Sequence, residues 1–421
     1  MTLLKLSFKS LSGRKVVSTL CILSIALSVA LFLGIERIRT GAKEGFMNTI
    51  SQTDLIVGAK GGSLQLLLYT VFQLGQAISN IRYSSYKEIA GMDSVEWSIP
   101  ISLGDSYRGF RVVGTTDDLF KNYRFRGDQQ IHFLKGETFK NVFEVVIGSD
   151  LFYKLKLNIG DEIFLSHGLS EEGGETIAEH KERAFKVVGI MAPTQTPLDR
   201  GVYIALQGLE AIHFGLETGS KNKATKINYD IPMQKIKITQ ITSMLIKAKS
   251  RFMTLRLQRQ INDYLGEPLM GVIPGLALSE LWQILSYVEE SLLLIGASVL
   301  VVGIFGITIS LYSSLNERRR EISILRSLGI SLGKIIFLFV FESLLMVVLG
   351  VILGMGLLTS ALHFLAPMIQ RHFSIYLESN TPTEMEYYYL IGVLGAGVLS
   401  GLIPAIRAYF NSLQDGLAIK N

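Results

Sequence analysis

Four apolar runs decide what this chain can become. Val16–Ile35 (VVSTLCILSIALSVALFLGI) is 20 residues without a formal charge. At about 1.5 Å per residue, a helix of that length crosses the roughly 30 Å hydrocarbon core of a bilayer. Leu292–Leu315 is uncharged and apolar, and Ile335–Leu358 is apolar except for Glu342. Tyr389–Ile403 is apolar and Gly-rich, with Tyr387 and Tyr388 ahead of it as interfacial anchors. Between Arg37 and Glu290 there is no long uncharged run; Leu64–Ile78 is too short and too polar to span and reads as an amphipathic or core helix. The first run exceeds the apolar region of about 7–15 residues in a cleaved signal peptide, and "LGIERIRTGAKEG" is a poor small-x-small cleavage site. It therefore reads as an anchor.

The chain as a whole is 48% hydrophobic, with mean hydropathy +0.36. That is high for a water-soluble protein and low for one made only of spans, so a sizeable polar domain accompanies the membrane helices. Cys21, the one cysteine, excludes an intrachain disulfide. The 41 basic and 36 acidic residues give a net charge of +5, which membrane flanks account for without nucleic acid.

Positive charge near span ends sets orientation. Lys5, Lys9, Arg14 and Lys15 precede the first span; Arg318, Arg319, Arg320, Arg326 and Lys334 lie between the second and third; Arg407 follows the fourth. The loop after the third has Arg371 against Glu378, Glu384 and Glu386. Both termini and the 310–334 loop are expected inside, with about 250 residues between the first two spans outside the cytoplasm. The expected fold class is an α-helical membrane protein with four transmembrane helices plus a large α+β extracytoplasmic domain inserted between the first and second spans. Its divisions are 1–15, a cytosolic interfacial helix; 16–36, the first transmembrane helix; 37–290, the extracytoplasmic domain and stalk; and 291–421, with spans at 292–315, 335–358 and 387–404. The first span is expected to continue past Glu36 as a stalk, since "ERIRTGAKEGFMNTI" contains no helix breaker.

Within the large domain, Gly109–Thr116, Phe143–Asp150, Asp161–His167, Ala184–Met191 and Gly201–Leu206 are short β-type runs bounded by turn residues. "SDLFYKLKLNIGD", "SSYKEIAGM" and "LQGLEAIHFGL" read as helices. Gly168–Lys181 reads as an exposed hairpin or loop. Ser220–Gln260 holds ten Lys/Arg and one acid, Asp230, a solvated face or an attraction for acidic headgroups or partners.

Catalytic motifs are absent. "GISLGKI" (Gly329–Ile335) has three residues between its glycines rather than four, with Ile335 where a Mg²⁺-binding hydroxyl belongs, so it is no phosphate loop. His132, His167, His180, His213, His363 and His372 show no ligand spacing. There is no G-x-S-x-G elbow. A non-catalytic chain is expected, without a cofactor or metal of its own.

The segment between the second and third spans, 316–329, is a good helix in its own right. Glu317/Glu321 and Arg318/Glu321 are i,i+4 and i,i+3 pairs, Ile322, Leu325 and Leu328 form an apolar stripe, and Gly329 is a plausible stop. Such a helix either lies on anionic lipid or docks into a groove of a partner. Glu342, about two turns into the third span, either snorkels near the interface or ties to another helix. Gly350/Gly354 and Gly397/Gly401 have the G-x-x-x-G spacing of close helix packing.

"NERRREISILRSLG" resembles the first cytosolic loop of the FtsX-like permease domain of MacB-type and LolC/LolE-type ABC transporters. Glu317, Arg318, Glu321, Ile322, Ile324, Leu325, Arg326, Ser327, Leu328 and Gly329 match the family's E-R-x-x-E-[IV]-x-[IV]-L-[RK]-[AS]-[LI]-G pattern. Pro404, Ala405, Arg407 and Ala408 resemble its PAxRA close, although the usual following proline is replaced by Leu413 or a neighbour. "VVGTTDDLF", "FLKGETF", "VVIGSDLFYKLKLNIGDEIFL" and "FKVVGIM" follow the order of the MacB-like periplasmic core domain.

The resemblance implies a permease subunit of a mechanotransmitting ABC transporter. It would couple ATP hydrolysis in a separate subunit to movement of its periplasmic domain, for export or for extraction of a lipoprotein. It also implies two copies of a cytosolic ABC ATPase that bind ATP and Mg, a second permease copy or homologue, a periplasmic adaptor or lipoprotein, and a bacterial inner-membrane location. Asn316, Glu317, Arg318, Arg320, Glu321, Ile322, Leu325, Arg326, Leu328 and Gly329 would then be the ATPase-coupling residues. The alternative is an FtsX-like scaffold that activates a periplasmic cell-wall hydrolase.

Overall fold

The computed structural model describes residues 15–167, 179–213, 236–327, 331–373 and 384–417. Four of its helices are long and apolar enough to cross a membrane. They are α1 (Lys15–Thr49), α8 (Pro274–Ser327), α9 (Leu332–Phe373) and α10 (Glu384–Leu417), the others being numbered below in chain order. Their apolar runs lack helix breakers, and in hydrocarbon a helix is the conformation that satisfies every backbone polar group within one segment. Each helix outruns its expected span. α1 continues to Thr49, as the missing breaker after Glu36 predicts, and α9 runs on to Phe373. Pro404 sits inside α10, where it removes one backbone donor.

The chain divides into two compact units. One comprises the described residues of Met1–Gly41, Leu285–Met368 and Leu377–Asn421; the other is centred on Ala42–Ile284. The division falls at residues 41/42 and 284/285, inside α1 and α8.

The second unit is an α+β domain built on a ten-stranded mixed sheet. Its strands are β1 (Leu55–Ala59), β2 (Val95–Tyr107), β3 (Phe110–Thr115), β4 (Phe133–Gly136), β5 (Glu144–Ile147), β6 (Glu162–His167), β7 (Glu179–Met191), β8 (Val202–Ala205), β9 (Ser243–Ala248) and β10 (Leu269–Val272). The order is β10-β1-β9-β2-β3-β8-β5-β7-β4, with β6 paired to β7 and β2. The β3/β8 and β5/β7 pairs are parallel. All five expected β runs are strands, because short Val/Ile-rich segments fit a pleated buried surface. Residues 168–178, most of the expected loop, lie outside the described residues; the strands flanking them pair antiparallel.

Short helices cover the sheet: α2 (Ser63–Val71), α3 (Tyr83–Ala90), α4 (Asp118–Asn122), α5 (Ser149–Leu155), α6 (Leu206–His213) and α7 (Arg251–Asn262). The apolar stretch at Leu64 thus forms a core helix, with Leu66, Leu67, Tyr69 and Val71 buried. One core cluster gathers Ile56, Leu67, Ile99, Phe120, Tyr123 and Tyr203; another gathers Val145, Phe185, Val187 and Ile204. The expected interfacial helix at 1–15 lies outside the described residues except for Lys15, the first residue of α1. Of the basic Ser220–Gln260 segment, residues 236–260 are described and supply β9 and most of α7.

Candidate transmission site

In the first unit α1 is the shared partner of the other three long helices. Gly303 and Gly306 of α8 face it: an added Cβ would lie 3.3 Å from Ser24 Cβ and 3.2 Å from Cys21 Sγ. Gly296, farther back along α8, faces Leu31, so the two helices run antiparallel. On α9, a Cβ at Gly350 would lie 2.7 Å from Ile25 Cγ2, and one at Gly354 would lie 2.6 Å from the Ala26 carbonyl oxygen. On α10, a Cβ at Gly397 would meet Val347 at 2.7 Å and one at Gly401 would meet Ser343 Cβ at 2.9 Å. Both glycine pairs singled out in the sequence therefore pack within the chain, Gly350/Gly354 on α1 and Gly397/Gly401 on α9. Without a hydrophobic drive between helices in lipid, such close approach is what holds them.

Polar contacts thread the same seams. Ser28 Oγ donates to the Gly296 carbonyl at 2.8 Å and lies 3.0 Å from the Tyr389 hydroxyl, while Phe32 stacks on the Tyr389 ring. Ser343 Oγ donates to the Gly397 carbonyl at 2.6 Å and lies 2.6 Å from Ser400 Oγ. Glu342 next to it is buried at 4% exposure, so it does not lie open to lipid. The Arg407 guanidinium stands 5.1 Å over the Tyr312 ring. A cation over an aromatic face is attracted by the ring quadrupole. That contact ties the family-like PAxRA segment to α8 four residues before Asn316.

An ion-pair group joins three of the helices. Arg37 on α1 donates from Nε to Glu386 Oε1 at 3.0 Å and from Nη2 to Oε2 at 3.3 Å, a two-pronged pair to α10. Glu386 is 3% exposed. Arg39 Nη2 donates to Glu36 Oε1 at 2.8 Å. Arg39 Nε is 3.2 Å from Glu289 Oε1 on α8, a charge contact in which the N–H is not directed at the oxygen. The planar fork of arginine suits this geometry. Of these charges only Glu386 enters the topology argument from sequence. The signal was there, since "ERIR" directly follows the first span and "EME" directly precedes the fourth, but nothing in one dimension pairs residues 349 apart.

Within the second unit, the ends of α1 and α8 are built into the core. The Tyr123 hydroxyl donates to the Thr49 carbonyl, and the Arg126 amide donates to the Asn48 carbonyl at 2.8 Å, so two of the carbonyls orphaned at the end of α1 are capped. Burial pushes the Tyr123 phenol above its ordinary pKa and keeps it protonated as a donor. Phe46 packs on Phe72 and edge-on to Trp282 of α8, with ring centroids 4.4 and 5.7 Å away. Ala277 and Leu278 at the start of α8 are buried, and Ser63 Oγ donates to Glu280 at 2.6 Å. Tyr123→Phe leaves a buried carbonyl without its donor and is expected to cost about 1–3 kcal/mol. The measurement is the unfolding midpoint; an unmoved midpoint would mean the cap contributes nothing.

Asn316, Glu317, Arg318, Arg320, Glu321, Ile322, Leu325 and Arg326 form the last turns of α8, continuous with the span rather than a separate helix. Their side chains, and Leu328 and Gly329 altogether, lie outside the described residues. Among the described residues no three His, Cys, Asp or Glu side chains converge as metal ligands would.

The MacB-like periplasmic core domain profile matches residues 18–264, and the FtsX-like permease C-terminal profile matches residues 293–413. No curated protein matches the chain. The periplasmic region of MacB from Actinobacillus actinomycetemcomitans is similar at 10% identity and TM-score 0.34, over 56% of this chain and 95% of that one. The extracellular domain of the noncanonic ABC-type transporter YknZ from Gram-positive bacteria is similar at 10% identity and TM-score 0.30, over 52% and 98%.

Proposed function

The chain belongs to the family with the MacB-like periplasmic core domain and the FtsX-like permease domain, and from that premise we propose that it is the force-transmitting permease of an ABC transporter. Permeases of this family are membrane subunits that work with a cytosolic ABC ATPase. In the proposed cycle two ATPase copies bind ATP and Mg, and a second permease copy or homologue completes the membrane part. The chain resides in a bacterial inner membrane with both termini cytoplasmic. Its domain extracts a lipoprotein or drives export through a periplasmic partner.

One observation carries this reading. A single helix, Pro274–Ser327, has Ala277 and Leu278 buried in the domain core near its start and the coupling sequence in its last turns. Its 54 residues correspond to about 80 Å of continuous helix. In the proposed cycle, movement at its last turns is passed along this one helix. The Arg39–Glu289 contact ties α1 to the same helix, and α1 ends in the core under the Tyr123 cap. Arg407 over Tyr312 braces the helix just before the coupling turns.

The test is co-purification with the ATPase and the rate of ATP turnover in the complex. Alanine at Glu317, Arg318 and Arg326 together is expected to abolish association or reduce turnover at least tenfold. Full assembly with unchanged turnover in that triple variant would sink the coupling assignment.

A further inference from the structure

We infer that the outer face of α7, in the second unit, docks a partner protein through an acidic segment that carries an apolar side chain. The inference rests on the transmission reading in one respect, that the domain acts on a partner outside the cytoplasm. Most of α7 belongs to the basic Ser220–Gln260 stretch, to which the transmission path assigns no role.

The inner side of α7 is fully used by the fold. Thr254, Leu257 and Ile261 are buried in it. Gln258 Nε2 donates to the Gly271 carbonyl at 2.9 Å, and the Gly271 amide donates to Asn262 Oδ1 at 2.8 Å, which fixes α7 along β10. Phe252, Leu255, Arg256 and Arg259 recur at helical spacings of three and four and share the outward face. Phe252 is 86% exposed and Leu255 64%. A phenylalanine so far out contributes little burial to the fold, and exposed apolar groups that cluster mark interaction sites. Arg251, Arg256 and Arg259 are exposed, and among the described residues none of the three enters an ion pair. α7 itself contains no acid; Asp263, just past its end, is the first. A cleft of about 440 Å³ opens beside this face, lined by Met47, Ile50, Arg251, Leu255, Ile273 and Pro274 among others.

Composition chooses the occupant. A helix that lies on a membrane sets one apolar face against the acyl boundary and keeps its charges on the other. α7 has placed its apolar stripe inside the domain, and on its outer face Phe252 and Leu255 are interleaved with arginines. A second copy docking on this same face through a two-fold axis would bring arginines against arginines, and like charges oppose association. Protein interfaces, by contrast, concentrate aromatic residues and arginine and are poor in lysine. α7 has three arginines and no lysine. Each guanidinium can donate two parallel N–H bonds to one carboxylate of the partner. The partner's apolar side chain then seats in the cleft, where Met47, 49% exposed, and Leu255 cover it.

The experiment is photo-crosslinking of the full chain in its native membrane, with p-benzoylphenylalanine in place of Phe252. Capture of one extracytoplasmic protein through a segment rich in Asp and Glu is expected. Arg256→Glu combined with Arg259→Glu should cut the captured yield at least tenfold, and changing the acids of that segment to arginine should restore it. Lys121→Glu combined with Lys140→Glu alters net charge equally at exposed positions off α7 and should leave the yield unchanged. All four substituted positions are exposed, so the variants keep the fold. Capture supports the assignment only together with the charge-swap rescue. No captured protein, capture of lipid alone or of a second copy, a yield unmoved by the arginine reversal, an equal loss in the lysine control, or a failed rescue would each overturn it. Capture is also expected to persist in the Glu317, Arg318 and Arg326 triple variant, so failure of the coupling assignment and failure of this one are read separately.

Discussion

Replacing Glu386 by alanine is expected to destabilise the span bundle by about 3–5 kcal/mol, because it leaves the Arg37 guanidinium partly buried without its carboxylate. Glu386 accepts both prongs of Arg37, at 3.0 and 3.3 Å, so no single water molecule reproduces the lost geometry. The measurement is the thermal midpoint in detergent. Breaking a buried pair costs far more than removing it whole. Arg37→Met combined with Glu386→Met should therefore recover most of the loss, and the coupling energy from the double-mutant cycle should be large. A midpoint unmoved by Glu386→Ala would show that this ion pair contributes nothing to holding α1 and α10 together. If the pair is part of the transmission path, the double methionine variant folds yet couples ATP turnover to transport poorly.

Gly354→Leu is the second substitution expected to act strongly. A Cβ there would lie 2.6 Å from the Ala26 carbonyl oxygen and 3.0 Å from Val29 Cβ. The obstacle is backbone, which cannot rotate aside, so α1 and α9 must separate and lose the contacts around Ile25 and Val29. Overpacking of this kind typically costs about 1–3 kcal/mol, occasionally more. Two residues on, a Cβ at Gly356 meets no atom within 4 Å. Gly356→Ala is thus the matched control and should be neutral or stabilising by up to about 1 kcal/mol through helix propensity. Equal yields of folded, monodisperse protein from both variants would contradict the packing assigned to α9.

These two cases mark what could be read in one dimension. The Gly350/Gly354 and Gly397/Gly401 spacings were visible, but spacing names no partner. That Gly354 meets Ala26 and Gly401 meets Ser343 emerges only when four helices are placed side by side. Gly303 and Gly306 have no G-x-x-x-G spacing, yet they too sit against α1. Glu386 is legible only as a topology signal and Arg37 only as a span flank, and nothing local says that a buried ion pair joins them. Glu342 drew attention as an acid inside a span, and its burial is in keeping with the cost of a charge facing lipid. Arg111 drew none, because one arginine in "GFRVVGTT" looks like any solvent-facing strand residue until β2 and the Gly75 turn close over it.

Apolar length, Gly and Pro placement and charge asymmetry are local quantities, and they sufficed for four membrane helices, an α+β domain between the first two, and the family. A helix or strand responds to its own residues within a few positions, so such features survive in sequence. The shared role of α1, the Arg37–Glu386 pair and the Tyr123 cap on α1 depend on residues tens to hundreds of positions apart. Their energy arises from close contact and from exclusion of water, which exist only after the chain has folded.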